Sequence, residues 1–275
     1  MGSLYNGFSV KASEYDFRDV MYIRGSRPLR PVVDMRDLAS AVEEQLNVGS
    51  CIGNALVGAY EILLKRDEPH LQVDLSRLFV YYNARLLEGT TGVDDGATVR
   101  DGMKALRTDG VCTESLWPYD LKLLYKKPSD EAYADGHRRT IKNYYRLTSV
   151  EDMLDALNSN TPVVIGTSTY NGFNDLTASN PIIHKPCSTD MVSGSHAMCL
   201  VGYDLEKKLF LVRNSFGTDW GASGYCWITF EFAAREFFDT WIFDVEVIAD
   251  EVNPTVTALL EHAAAFHTDH ASVGA

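Results

Sequence analysis

Apolar positions recur along this chain with two different periods, and the period changes near the middle. In the first half the spacing is helical. Ile52, Leu56, Ala59, Leu63 and Leu64 fall on one face, and Ser50 is placed to cap the start. Gly53 and Gly58 interrupt this helix, and each costs roughly 1 kcal/mol in a free helix. Packing between other elements is expected to offset that loss. A second helix is predicted over 76–87, ended by Gly89. A third runs from about Val99 to Arg107, with Thr98 and Asp101 as a capping box, Val99, Met103 and Leu106 as its apolar stripe and Gly110 as its stop. A short fourth spans Glu151 to Leu157, opened by Ser149 and Asp152.

Strand-like runs follow. Pro162-Val163-Val164-Ile165 reads as a buried strand, as do Ala197 to Tyr203, Leu209 to Arg213 and Tyr225 to Phe230. Helices first and strands second predict an α+β fold of two lobes. Sites commonly lie where such lobes meet. Residues 1–31 show little periodicity and end in Arg27-Pro28-Leu29-Arg30-Pro31, which reads as an extended arm. Val32 to Asn47 looks irregular. The expected division is an arm over 1–31, a folded unit over 32–250 and a loosely held Ala- and His-rich tail over 251–275.

Charge narrows the partners. The formal net charge is −13, whereas tracking phosphates requires a basic patch. Nucleic acid and anionic membrane surfaces are therefore not expected as partners, and basic ones are mildly favoured. No run approaches the ~18 apolar residues of a spanning helix, and residues 1–20 lack an apolar signal region. The expected location is cytoplasmic, with virion association or non-classical export also open.

The chain has five cysteines, an odd number that leaves at least one thiol unpaired. None forms a CxxC or zinc spacing, so no metal or cofactor is expected. His184, Cys187 and Cys199 fit no ligand pattern and read as structural. His262, His267 and His270 read as solvated tail residues.

Cys51 differs from the other thiols by opening the first helix. A thiol there feels the positive end of the helix dipole and unpaired N–H groups, which favour the reactive thiolate. The plain alternative is a small buried hydrophobe. His196 and Asn214 bracket two apolar strands. A hairpin turning on Leu205 would pair residues whose numbers total 410, and these two do. Directly opposed Cβ atoms lie ~4.5–5.5 Å apart, close enough for the amide to orient the imidazole. A register slip of one residue would put them on opposite faces. Gln45 reads by itself as an ordinary surface glutamine. Folded back, its amide could stabilise an oxyanion beside the Cys51 N–H.

Together these blocks resemble the papain family of cysteine proteases. The resemblance rests on Gln45-x5-Cys51 with Gly49-Ser50-Cys51, on Ser195-His196-Ala197 leading to Val201-Gly202-Tyr203, and on Asn214-Ser215-Phe216-Gly217-x-x-Trp220-Gly221-x-x-Gly224-Tyr225. It covers about residues 32–245 and implies the papain-like two-lobed fold, helical on the left and β-rich on the right. It implies a cysteine endopeptidase acting on polypeptides, with Cys51 as nucleophile, His196 as base, Asn214 orienting it and Gln45 in the oxyanion hole. It also implies Trp220 at the site's edge, Ser195 near the cleft, and Gly96 and Ala97 on a strand that pairs with substrate backbone.

Ile52 stands where a tryptophan commonly follows the nucleophile, and Phe216 where a tryptophan often shields the Asn–His bond. Val48 replaces a usual disulfide cysteine, and the long propeptide of lysosomal members is not seen. The arm, with Gly7-Phe8 and Asp16-Phe17-Arg18-Asp19, resembles short leaders of bacterial and viral relatives. It is expected to lie across the cleft as a restraint or to serve as a packing strap. Two other readings stay open: a Cys–His acyl transferase or deamidase, and a non-catalytic papain-fold binding module.

Overall fold

The computed structural model describes residues 9–71, 73–184 and 186–245. Gly7-Phe8 and the 251–275 tail with its three histidines lie outside the described residues. Among the described residues there are six α-helices and eight strands, helices dominating up to residue 136 and strands after it.

Helix α1 (Cys51–Asp67) is the hub of the fold. Every residue from Cys51 to Leu64 is buried, because α2 (Arg77–Glu88) covers one side and strand β5 (Val192–Asp204) the other. Gly53 permits that sandwich. A Cβ there would sit 2.3 Å from the Arg77 carbonyl oxygen at the start of α2. The closeness of packing thus accounts for a glycine that helix propensity alone disfavours.

The caps agree in part with expectation. Ser76 accepts from the Phe79 N–H, and Gly89 ends α2 in the left-handed region at φ 70°. Helix α5 (Val150–Asn158) carries the full Ser149–Asp152 capping box. Helix α3 (Val99–Thr108) has only half of one. Thr98 accepts from the Asp101 N–H, but its own N–H donates to Glu88 Oε1 at 2.8 Å. Ser50 precedes α1 without capping it, because its hydroxyl is engaged by Tyr119 and Asn54.

The sheet runs β2 (Ile141–Arg146), β8 (Phe237–Val245), β3 (Val163–Tyr170), β5, β6 (Leu209–Arg213), β7 (Tyr225–Thr229) and β4 (Ile182–Ile183). β1 (Val32–Asp34) adds to β5, within the stretch read as irregular. All pairings are antiparallel except β4 with β7. β2, β8, α4 (Asp130–Gly136) and α6 (Phe230–Glu236) had no clear pattern in sequence. α4 is short and mostly polar, and α6 and β8 share one aromatic-rich run in which neither period dominates.

The β5–β6 hairpin corrects the predicted register. Its turn takes four residues, 205–208, with Lys208 at φ 56°. Near the turn, Tyr203 faces Phe210, a total of 413 rather than 410. A bulge at Val201 then changes the count, and Cys199 faces Arg213, a total of 412. Carried on towards His196, the unbulged register would place Asn214 an odd number of positions off, on the opposite face. The bulge restores an even offset, so the two residues are diagonal neighbours on one face.

The arm does two things. Residues 9–11 bond to Gly49, Ser195 and Ala97 beside the site, and from Ser13 onward the arm straps the outside. In the strap, Asp19 is held by Arg100 at 2.6 Å and Arg146 at 3.1 Å, Tyr22 donates to Asp155 at 2.7 Å, and Arg30 reaches the end of α5.

Candidate active site

Cys51 is the first residue of α1, and its side chain is fully buried. The loop before it is stiffened from within the helical half of the molecule. Gly49 N–H donates to both Asp94 carboxylate oxygens, at 3.1 and 3.0 Å, and Tyr81 O–H donates to the same carboxylate at 2.5 Å. Tyr81 also accepts from the Gly96 N–H at 3.1 Å. Asp94 and Tyr81 therefore link the start of α1 to the Gly96–Ala97 edge. Nothing in the sequence pattern marked Tyr81, which reads as one more apolar residue of α2.

On the β side, His196 Nε2 lies 2.8 Å from Asn214 Oδ1, and Oδ1 also accepts from the Ser215 N–H at 2.8 Å. Phe216 covers the imidazole with ring centroids 4.8 Å apart, and Phe173 packs on it at 5.8 Å. Trp220 closes the cluster against Phe173 at 5.3 Å, its indole N–H donating to the Phe173 carbonyl. His196 is 0 % and Asn214 4 % exposed beneath Phe216, so the smaller phenyl ring shields their bond from water. Phe173 was not singled out in the sequence.

Gln45 is fully buried rather than a surface glutamine. Its amide N–H donates to the Val48 carbonyl at 2.8 Å, and its Oε1 accepts from the Ser215 hydroxyl at 2.6 Å. Its backbone pairs with Ser215 and Tyr119. Gln45, Ser215 and Asn214 thus form one connected unit, although Gln45 and Ser215 lie 170 residues apart in sequence.

The arm crosses between the start of α1, the Gly96–Thr98 edge and Ser195. The Ser195 hydroxyl donates to the Val10 carbonyl, Ser9 Oγ donates to the Gly49 carbonyl at 3.1 Å, and Lys11 N–H donates to the Ala97 carbonyl at 3.2 Å. Lys11 runs parallel to Thr98 as a one-residue strand. Gly96, at φ 68°, is where the arm passes closest, and a Cβ there would lie 1.7 Å from the Ser9 carbonyl oxygen. Ser195, Gly96 and Ala97, the weakly marked cleft residues, are thus all beside the arm.

Burial sets the protonation of the covered site. It pushes the Cys51 thiol up to about 11, against the pull of the Ala197 and Ser9 backbone N–H groups, and pushes His196 down to about 4 despite Asn214. Both groups are neutral near pH 7 in this state. The helix start does not by itself produce a thiolate.

Behind the site, Arg213 precedes Asn214 and reaches Ser40 Oγ at 3.0 Å and the Ala41 carbonyl. Ser40 donates to Glu61, whose other oxygen accepts from the Leu75 N–H at 3.0 Å. Burial raises Glu61 to about 7. Among the described residues, no cluster of three or more metal-ligating side chains occurs and no helix is long and apolar enough to cross a membrane.

A family model for papain family cysteine proteases matches residues 29–235, three quarters of the chain. The chain belongs to the papain family of cysteine proteases. A peptidase C1-like protein of Acanthamoeba polyphaga mimivirus is 33 % identical over 243 residues, 84 % of this chain and 77 % of that protein. The crystal structure of xylellain, a cysteine protease from Xylella fastidiosa, superposes with a TM-score of 0.80 at 33 % identity, covering 87 % of this chain and 96 % of that one. Rice cysteine endopeptidase RepA is 28 % identical over 72 % of this chain, which spans about half of the rice protein. The papain-like fold places the α1 start against the β5–β6 edge, which is the arrangement described above. As a papain-family hydrolase, the protein takes polypeptides as its substrates.

Proposed function

We propose that the protein is a cysteine endopeptidase working through Cys51, His196 and Asn214, held in check by its own arm. The observation that carries this reading is the 2.8 Å contact between His196 Nε2 and Asn214 Oδ1 under Phe216, next to a thiol at the start of a helix. An amide oxygen can only accept, so Nε2 carries the proton and Nδ1 is the nitrogen that acts on the thiol.

With the arm displaced, water and substrate enter and the desolvation that keeps both groups neutral is relieved. His196 Nδ1 takes the Cys51 proton, and the thiolate adds to the scissile carbonyl. The Cys51 backbone N–H and the Gln45 amide stabilise the oxyanion. His196 then protonates the leaving amine, giving an acyl-enzyme. Water, deprotonated by His196, releases the acid and restores the thiol.

The test is cleavage of a mixed fluorogenic peptide library under thiol reductant, wild type beside Cys51→Ala, with labelling by an epoxide directed at papain-like enzymes. New peptide termini from wild type alone, and a single label on Cys51, are expected. Isopeptide bonds or released ammonia without new termini would reassign the chemistry to acyl transfer or deamidation. Neither cleavage nor label, with the arm removed, would leave a binding module.

A further inference from the structure

Three acidic side chains cluster around the loop after α2, and they are not used alike. Asp94 is taken up by Gly49 and Tyr81. Glu88 and Asp95 instead converge on one ammonium. Lys11 Nζ lies 2.8 Å from Glu88 Oε2 and 2.8 Å from Asp95 Oδ2. Glu88 is fixed in place, since its side chain is 13 % exposed and its second oxygen accepts from the Thr98 N–H at the start of α3. Asp95 is 64 % exposed and adjoins Gly96.

The lysine arrives from a particular direction. Its own N–H pairs with the Ala97 carbonyl, so the ammonium is carried by a chain lying along the Gly96–Thr98 edge. That is the edge along which a peptide substrate would lie. When the arm leaves, two neighbouring carboxylates lose their shared counter-charge, and like charges at close range disfavour the ionised state. A cationic side chain on the incoming peptide would restore the balance.

We infer that Glu88 and Asp95 form a specificity subsite for a lysine or arginine side chain of the substrate, and that Lys11 occupies it while the arm covers the cleft. The inference rests on the endopeptidase reading and adds a substrate class to it: peptides with a basic residue upstream of the scissile bond. The net charge of −13 assists by drawing such peptides to the protein. The parallel course of Lys11 along Thr98 leaves open which upstream position carries the cation, so the test covers several.

The experiment uses the full-length chain and its Lys11→Ala variant, each with Glu88 and Asp95 intact or changed to Glu88→Gln, Asp95→Asn, or both. Matched peptides differ at one position only, lysine against norleucine or arginine against citrulline, at each of three positions upstream of the cut. The readout is the ratio of kcat/KM within a pair, which cancels any change common to both peptides, loss of folded protein included. With the acids intact, a cation preference of roughly tenfold at one position is expected from two partly hydrated charge-assisted hydrogen bonds. The double substitution should bring it to within about twofold, and added salt should weaken it. The exposed Asp95→Asn change alone should lower it part of the way. A ratio near one at every position with the acids intact, or a preference that survives the double substitution, would overturn the inference and leave the pair as a clasp for the arm. Absence of turnover with every peptide, both in these chains and in one lacking residues 1–13, would instead sink the endopeptidase reading and this inference with it.

Discussion

The Val10 carbonyl accepts a hydrogen bond from the hydroxyl of Ser195, the residue next to His196. The arm is thereby fastened beside His196, with Val10 only 3 % exposed. Removing residues 1–13 should therefore free the site. The cut stops short of Asp19, whose loss would strand the buried Arg100 guanidinium and Arg146 beside it. If the open state is an ordinary minor conformer, turnover of a fluorogenic peptide should rise roughly 10- to 1,000-fold. Equal rates for the shortened and full-length chains would make the arm a packing strap and nothing more.

The covered thiol should titrate late. With its pKa pushed up to about 11, Cys51 holds little thiolate at pH 7, and the fraction grows as pH rises towards that value. Alkylation of Cys51 in the full-length chain should accelerate about tenfold per pH unit across the alkaline range below it. The chain lacking residues 1–13 should reach its plateau at lower pH, since water then reaches both thiol and imidazole. Superimposable pH profiles would show that the arm does not control thiol ionisation.

Gln45→Ala separates binding from chemistry. If the amide donates to the oxyanion, kcat should fall about 10²–10³ with much less change in KM. The variant also loses the Val48 and Ser215 partners, so circular dichroism and melting must be recorded alongside. A loss of less than about threefold in a folded variant would take Gln45 out of the oxyanion hole.

The Glu61 network should make stability pH-dependent. Its carboxyl is raised from 4.5 to about 7, chiefly by burial, so the folded state binds a proton that the unfolded state releases. The associated stability is present below about pH 4.5 and is lost as pH rises through about 7, by roughly 3 kcal/mol. Glu61→Gln can keep the Leu75 N–H partner without the charge. Its unfolding free energy should vary less between pH 5 and 8 than that of wild type, measured by denaturant titration. Parallel curves for the two proteins would exclude Glu61 as the source.

Local sequence determined the helices that carry strong punctuation and the strands that are apolar throughout. Ser76, Thr98, Gly89 and the Ser149–Asp152 box act within a few residues of themselves, so their effect is readable without knowing the fold. Order and residue type likewise brought Cys51, His196, Asn214 and Gln45 together as candidates. Other features depend on groups far apart in the chain. The bulge at Val201 puts His196 and Asn214 on one face, and no residue type there announces it. Gln45 is buried because Ser215 and Tyr119 surround it, and Gly53 is required because Arg77 passes close by. The neutral thiol and imidazole follow from burial by groups far apart in the chain, Ser9 beside Cys51 and Phe173 and Phe216 against His196. Glu88, at the end of an ordinary helix, faces Lys11 only because the arm crosses the cleft beside it. Helix punctuation acts over one turn of chain and can be read directly, whereas burial, register and charge pairing are set by long-range contacts that exist only once the chain has folded.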